Sequence, residues 1–188
     1  DFTLSNMSSS GVGKVAVLTQ YNSRSLRDHL MSSKWWDFGR KQGGLFVFTP
    51  YTSKEGSTWF RGTADSIYQN MAYLKRSNED YVVITSGDSI YKMDYKKVIK
   101  QHVEKGADIT VVYQKMEGKD LTKFGILELD ADNKLVGFEE KPAQPKANTA
   151  SLGIYVISRT LLIDLLEQAI PEGRYDLVKD IIIRFIHT

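Results

Sequence analysis

The sequence has no cysteine. That excludes disulfide bridges, thiolate metal sites and cysteine nucleophiles, and it fits a cytoplasmic protein. An excess of one charge is also missing: 25 basic against 23 acidic side chains leave +2, so nothing in the charge argues for a nucleic-acid or membrane surface. No apolar run approaches the roughly 20 residues of a membrane-spanning helix. No internal repeat or low-complexity segment breaks the pattern. There is no Ser-His or Cys-His constellation for nucleophilic catalysis. No Asp-x-Asp pair ends a strand either, because Asp130-Ala131-Asp132 falls in a predicted hairpin turn. The chain starts at Asp1, without methionine or signal peptide, and stops at Thr188 directly after the helix-like stretch 177–186. A fragment of a longer polypeptide is therefore expected.

What is present suits one globular domain with a sizeable core: 188 residues, 41% apolar and 26% charged. The chain is organised around Tyr81-Val82-Val83-Ile84-Thr85-Ser86-Gly87-Asp88. A run rich in β-branched residues closing on Ser-Gly-Asp reads as a buried parallel strand and a tight turn that carries a carboxylate. Tyr95, Val98, Ile99, His102 and Val103 follow at helical spacing. Asp88 should thus lie at the carboxyl end of a central strand, where open α/β sheets bind ligands. A turn aspartate that satisfies its own backbone explains the same residues.

In chain order, residues 2–6 open a short helix or turn and 8–11 break it. Gly11-Val12-Gly13-Lys14 suggests a phosphate loop, but the first glycine would fall at Ser8 and Val15 stands where Ser or Thr should hold magnesium. Strands are expected at 15–19 and 45–49, the second stopped by Pro50, with a helix over 25–31 between them. Trp35-Trp36-Asp37-Phe38-Gly39 reads as an aromatic loop, most simply a packing element. Residues 53–57 are polar and read as mobile. In Trp59-Phe60-Arg61-Gly62-Thr63-Ala64-Asp65 a helix begins, with Ala64, Ile67, Met71 and Leu74 on one face. Gly62 would let the backbone approach a ligand and Thr63 would cap the helix. Its free N–H groups would suit an anionic or polar ligand; a plainly capped helix fits as well. A helix over 94–105 ends at Gly106, and a strand over 109–113 leads to a charged loop. A hairpin pairs 125–129 with 135–138, a strand covers 151–157, a helix 159–168, and a last helix begins near Asp176. The alternation predicts a three-layer α/β/α sandwich, Rossmann-like, with a mostly parallel sheet.

Taken together, Trp59–Asp65, Gly87-Asp88 with Tyr91-Lys92-Met93-Asp94-Tyr95, Phe124-Gly125, Glu140-Lys141-Pro142 and Ala150-Ser151-Leu152-Gly153-Ile154-Tyr155 resemble bacterial glucose-1-phosphate adenylyltransferase in order and spacing. The resemblance covers nearly the whole chain. It implies the nucleotide-diphospho-sugar transferase fold and the reaction of ATP with glucose 1-phosphate to ADP-glucose and pyrophosphate, in glycogen synthesis. It implies Mg²⁺ held by Asp88 and Asp180, with Asp88 and Lys141 as catalytic residues. Lys141 would meet the sugar phosphate and Glu140 the sugar hydroxyls. Gly125 would pass close to the sugar and Ser151 would bond to it. Gln20, Phe60, Gly62 and Thr63 would complete the substrate side, with Gln20, Gly62 and Thr63 towards adenine and ribose. It also implies that the family's first strand and glycine-rich loop precede Asp1, and that its β-helix domain is absent here. Catalytic members usually carry Tyr at position 60 and a bulky residue at 89, where this chain has Phe60 and Ser89. That resembles the regulatory, GlgD-type subunit, whose partner is a catalytic subunit in an oligomer. A fully catalytic enzyme, or a relative using another base or sugar, is the alternative.

Overall fold

The computed structural model describes residues 1–31, 36, 38, 43–50, 59–118 and 120–186. The expected polar stretch 53–57, and Trp35, Asp37 and Gly39 of the aromatic loop, lie outside the described residues. Elements follow in the order α1 (Phe2–Ser9), β1 (Lys14–Leu18), α2 (Ser23–Met31), β2 (Gly44–Phe48), α3 (Thr63–Tyr68), α4 (Met71–Lys75) and β3 (Tyr81–Thr85). Then come α5 (Tyr95–Lys105), β4 (Ile109–Lys115), β5 (Gly125–Leu129), β6 (Leu135–Glu140), β7 (Thr149–Ser158) and α6 (Arg159–Ala169). The last element, α7, is π-helical over Leu177–Ile182 and runs on as an α-helical turn at Ile183–Ile186.

The protein is a mixed α/β fold. β1 and β2 pair in parallel, in register from Lys14 opposite Gly44 to Leu18 opposite Phe48. β7 runs antiparallel between β3 and β4, so those two strands point the same way without bonding each other. The predicted parallel environment of β3 therefore takes a different form, because its partner among the described residues is the long reversed strand β7. β5 and β6 form the expected hairpin. Its turn closes on Asp130, whose Oδ1 accepts from the backbone N–H of Asp132 and Lys134.

Alternation along β7 assigns the two faces, since successive strand side chains point to opposite sides. Tyr155 and Ile157 enter one core with Ala64 and Leu74 of α3 and α4, Leu162 and Leu166 of α6, and Ile181 of α7. Ile154 enters the other with Leu4 and Met7 of α1, Val15 of β1, Trp36, Phe38 and Tyr95. Helices thus cover both faces of the sheet, as the alternating pattern requires. Trp36 and Phe38 are buried packing residues; the Trp36 indole N–H donates to Ser5 Oγ at 3.0 Å. Burial of an aliphatic side chain such as Leu162 or Leu166, both fully buried, contributes about 1.5–3 kcal/mol.

Local chemistry sets the helix ends. Asp94 caps α5 by accepting from Lys96 N at 3.0 Å, and Gly106 stops it in the left-handed region at φ 57, where only glycine is unstrained. Ser158 caps α6. The predicted continuous helix over 64–74 is instead broken at Gln69–Asn70 into α3 and α4. Lys14, the would-be phosphate lysine, donates to Ser77 Oγ at 2.7 Å and pairs with Glu79 at 3.6 Å, which keeps it out of any phosphate loop.

Candidate functional site

The sequence-predicted residues fall into three groups. The first joins the loops before α3 and α7. Gln20, just beyond β1, accepts from Phe60 N through Oε1 at 2.9 Å. Gly62 is extended at φ 178, and a Cβ there would collide with the backbone carbonyl of Tyr175. The freedom of Gly62 is therefore used by the protein's own chain. Thr63 does not cap its helix, since Gly62 stands at the cap position and no side chain bonds there. Thr63 Oγ1 instead accepts from Leu177 N at 2.9 Å. The leading N–H groups of α3, at Ala64 and Asp65, donate to Tyr175 O at 2.8 and 3.3 Å, so the backbone already uses donors that the sequence offered to a ligand. Asp180 Oδ2 accepts from Tyr175 N at 3.0 Å and Asp176 N at 2.9 Å, which closes the chain from Gln20 to Asp180.

Asp65 lies under this group, fully buried. It accepts from Arg61 N at 2.9 Å, from the Arg61 guanidinium at 2.6 Å and from Gln69 Nε2 at 2.8 Å. Burial pushes its pKa up, but the hydrogen bonds from Arg61 and Gln69 outweigh burial and hold the carboxyl below its ordinary range. Arg61 also lies over the Tyr175 ring, 3.9 Å from its centroid. The Arg61-Gly62-Thr63-Ala64-Asp65 run is thus a buttress that ties α3 to the segment leading into α7.

The second group sits on β5, β6 and β7. Gly125 stands opposite Glu140 in the hairpin, and Ile126 stands opposite Ala150, next to Ser151. Glu140 and Lys141 pair at 3.5 Å. Lys141 has φ 48, a left-handed backbone costing about 1–3 kcal/mol for a residue with a Cβ. Its N–H donates to Phe124 O at 3.2 Å, so the residue just before β5 holds the strained position in place.

Ser151 is buried at the start of a bulge. Val112 stands opposite Ile154 but Tyr113 opposite Ser151, which leaves Leu152 and Gly153 unpaired. Gly153 adopts φ 66 there and donates its N–H to Ser151 Oγ at 3.2 Å. The fold of the bulge brings Ser151 to Tyr155, a residue the sequence reading did not single out. Burial raises the Tyr155 pKa, the Ser151 hydrogen bond opposes that shift, and the charges of Glu140 and Asp176 add to it. Tyr155 itself packs into the core that holds Leu177 and Ile181 of α7. Period-two alternation from Ser151 was the available signal for it.

Asp88 makes the third group. It is exposed in the turn after β3 and accepts a hydrogen bond from Ser86 Oγ. A Cβ on Gly153 would approach that of Ser86 at 4.0 Å, so the Asp88 turn leaves the sheet beside the β7 bulge, two residues from Ser151. Tyr91 fixes the far side of the turn, its phenol 2.6 Å from Thr85 Oγ1 and 2.9 Å from the Tyr95 phenol.

Among the described residues no group of three or more His, Cys, Asp or Glu side chains gathers as a metal site. Asp88 and Asp180, the two carboxylates expected at Mg²⁺, stand in the turn after β3 and at the start of α7; Mg²⁺ commonly takes one or two protein carboxylates and completes its shell with water and phosphate oxygens. Among the described residues no helix is long and apolar enough to cross a membrane.

A strand-end carboxylate turn, a hairpin that sets Gly125 opposite Glu140 beside a buried serine, and a buttressed helix start are carried on one mixed α/β domain. The nucleotidyl transferase family matches residues 1–187, and the chain belongs to that family. Its relatives include glucose-1-phosphate adenylyltransferase of Geobacillus stearothermophilus, 41% identical over 184 residues, 97% of this chain and 48% of the relative. The enzyme of that name from Bacillus subtilis (strain 168) is 42% identical over 184 residues, with 97% and 48% covered. That from Fervidobacterium nodosum is 40% identical over 190 residues, with 100% and 46% covered. The chain spans about half the length of these curated relatives.

Proposed function

We propose that the chain is the nucleotidyltransferase part of a glucose-1-phosphate adenylyltransferase-type protein, which joins ATP and glucose 1-phosphate into ADP-glucose and pyrophosphate for glycogen synthesis in the cytoplasm. The observation that carries this reading is the strand register that sets Gly125 opposite Glu140 and Ile126 opposite Ala150, so that Gly125, Glu140 and Ser151 lie on adjoining strands, with Lys141 next to Glu140. In this reading Glu140 and Ser151 hold sugar hydroxyls, and Lys141 meets the sugar phosphate. Gln20, Gly62 and Thr63 would face the adenine and ribose, and Phe60 would stand at the sugar site. A further strand and a glycine-rich loop would precede this chain, and a β-helix domain would follow it.

The reaction forms a bond from a phosphate oxygen of the sugar to the α-phosphorus of ATP and breaks the bond to pyrophosphate. The attacking oxygen is already ionised, so no general base is required. The difficulty is bringing two anions into line, which makes positioning and charge neutralisation the main contributions. Asp88 would hold magnesium, with Asp180 contributing through the carboxylate oxygen it does not use on the backbone. The ion would neutralise the phosphates when bound. Lys141 supplies the protein's own positive charge, its ammonium 3.5 Å from Glu140.

Within this activity we assign the chain to a regulatory or weakly active subunit of an oligomer that also contains a catalytic subunit. Phe60 offers no phenol to the site, and Ser89 sets only a small side chain beside Asp88. A second reading, a competent catalyst, is favoured by the relatives, which bear the enzyme's name at 40–42% identity. The test is ADP-glucose formation by the intact protein alone, by a catalytic subunit alone, and by the two mixed. The regulatory reading expects little turnover from the intact protein alone and a changed rate or effector response on mixing. Robust turnover alone would overturn it and leave Phe60 and Ser89 as tolerated variations.

A further inference from the structure

Ser86 is the first residue beyond the β3–β7 ladder, which ends with Thr85 opposite Ile154. From there the chain runs exposed through Ser86, Gly87 and Asp88. A Cβ placed on Gly87 would meet nothing within 4 Å, so packing does not hold the turn at that point. Its position has to come from hydrogen bonds.

Those bonds lead back into the core. Tyr95 is fully buried in the cluster that holds Val15 and Ile154, and its N–H donates to Ser10 Oγ at 2.8 Å. Its phenol lies 2.9 Å from the Tyr91 phenol, which in turn lies 2.6 Å from Thr85 Oγ1. Thr85 Oγ1 donates to Ser86 O at 3.2 Å, and this fixes the order of the other two bonds. With its proton on the carbonyl, Thr85 accepts from Tyr91, and Tyr91 accepts from Tyr95. Each hydroxyl passes its donor one step nearer the turn, and such chains strengthen their members by polarisation. Burial, with the Tyr91 contact, pushes the Tyr95 pKa well above its ordinary value, so the first donor keeps its proton. Thr3 Oγ1 adds a second donor to Ser86 O at 3.4 Å, and Ser86 Oγ donates to Asp88.

We infer that Tyr91 and Tyr95 are positioning residues for Asp88: the hydroxyl relay from buried Tyr95 through Tyr91 and Thr85 to the Ser86 carbonyl sets the exposed carboxylate turn for a divalent cation. The inference rests on the reading above that gives Asp88 a metal ion. It adds that the carboxylate is ordered from the core, because the turn has no packing of its own. A ligand ordered before the ion arrives binds more tightly, since less freedom is lost on binding.

The experiment titrates Mn²⁺ into the intact protein and follows the free ion by electron paramagnetic resonance. Hydrogen exchange of the 86–90 segment without metal is the second readout. Tyr91→Phe leaves the buried Tyr95 hydroxyl without its acceptor and should lower Tm. Tyr91→Phe/Tyr95→Phe removes both hydroxyls, a change that is close to neutral when both partners go, so Tm should return towards the wild type. Mn²⁺ affinity should not return: hydrogen-bond partners behind a metal ligand commonly matter about tenfold or more, and a loss of at least about fivefold is expected in both variants. Exchange at 86–90 should be faster in both. Thr85→Val should reproduce the loss, and Thr85→Ser, which keeps the hydroxyl, should not. Recovery of affinity and exchange together with Tm in the double variant makes the relay purely structural and overturns the inference. Asp88→Asn separates this from the reading beneath it. Mn²⁺ binding lost in Asp88→Asn but normal in Tyr91→Phe/Tyr95→Phe overturns the relay alone. Binding unchanged in Asp88→Asn overturns the metal reading; exchange at 86–90 then decides the relay, faster exchange in the double variant supporting it and unaltered exchange overturning it.

Discussion

Glu140 stands directly across the β5–β6 hairpin from Gly125, and a side chain on that glycine would come within 3.2 Å of the Glu140 carboxylate. The same Cβ would press on the Phe138 ring at 2.6 Å. Gly125 therefore has no room for a side chain on the face where Glu140 is displayed. The open face of the hairpin and the aim of its carboxylate rest on one missing methyl group.

Gly125→Ala should accordingly displace Phe138 and Glu140 together. Overpacking of this kind costs about 1–3 kcal/mol, read as a lower midpoint in urea unfolding. In the intact protein the affinity for glucose 1-phosphate should fall by more than the stability loss explains. Calorimetry at a temperature where the variant is fully folded separates the two effects. Unchanged sugar-phosphate affinity would remove Gly125 from the site.

Asp65 makes the buttress sensitive to acid. Its carboxyl is held below its ordinary 3.8 by Arg61 and Gln69 despite burial. The unfolded chain therefore takes up the proton first as pH falls. The stability from this group is complete above about pH 4 and is lost as pH drops through the lower folded value. Asp65→Asn should flatten that part of the acid-unfolding curve and destabilise the protein at pH 7 by about 1.5–3 kcal/mol, the range for a charge-assisted hydrogen bond. The partner Arg61 is half exposed, which places the expectation towards the lower end. Chemical denaturation of both proteins at pH 7 and pH 3 is the measurement.

Much of this arrangement could be read from residue order. The β-branched runs gave the strands, Asp94 and Gly106 bounded α5, and Gly125 and Glu140 flanked a recognisable turn. What escaped were relationships between distant segments. Nothing near Gly62 indicates that its open side is filled by the Tyr175 carbonyl, because that contact spans more than a hundred residues. Thr63 has the composition of a cap, yet its hydroxyl serves Leu177, since the α3 donors had already found Tyr175. The bulge at Leu152–Gly153 is signalled only by a glycine inside a strand pattern, and its consequence, the approach of Ser151 to Tyr155, depends on β4 lying alongside. β7 itself reads as one more strand, because apolar alternation carries no record of direction.

His102 supplies a second pH dependence, on the side of α5 that faces the sheet. It is 2% exposed, lies 2.8 Å from Thr110 Oγ1 and packs edge-on to the Tyr81 ring at 5.2 Å. Burial lowers its pKa below 6.5, and the charge of Asp108 offsets only part of that. Above about pH 6.5 the group adds no penalty. Below it the unfolded chain binds a proton that the folded chain resists, so stability declines as pH falls towards the folded value. Between pH 7.5 and pH 5.5 the melting temperature of the wild type should drop more than that of His102→Gln. Parallel pH–Tm curves would remove His102 as the cause.

Asp88 and Asp180 are both assigned to the metal in the proposed reaction, but their surroundings predict opposite costs of removal. Asp88 is exposed, and its one described partner is Ser86. Asp180 is half-buried and satisfies the N–H groups of Tyr175 and Asp176. Asp88→Asn should leave stability within about 0.5 kcal/mol, as for other exposed changes. Asp180→Asn keeps an acceptor oxygen but loses the charge, and should cost about 0.5–2 kcal/mol, the range for a capping residue. If both bind the ion, each variant should raise the magnesium concentration for half-maximal effect in the intact protein by at least about tenfold. A stability loss in Asp180→Asn with unchanged magnesium dependence would confine that residue to holding the start of α7 and leave Asp88 as the metal carboxylate. An unchanged magnesium dependence in Asp88→Asn would remove the metal from the turn after β3 and overturn the assignment on which the proposed chemistry depends.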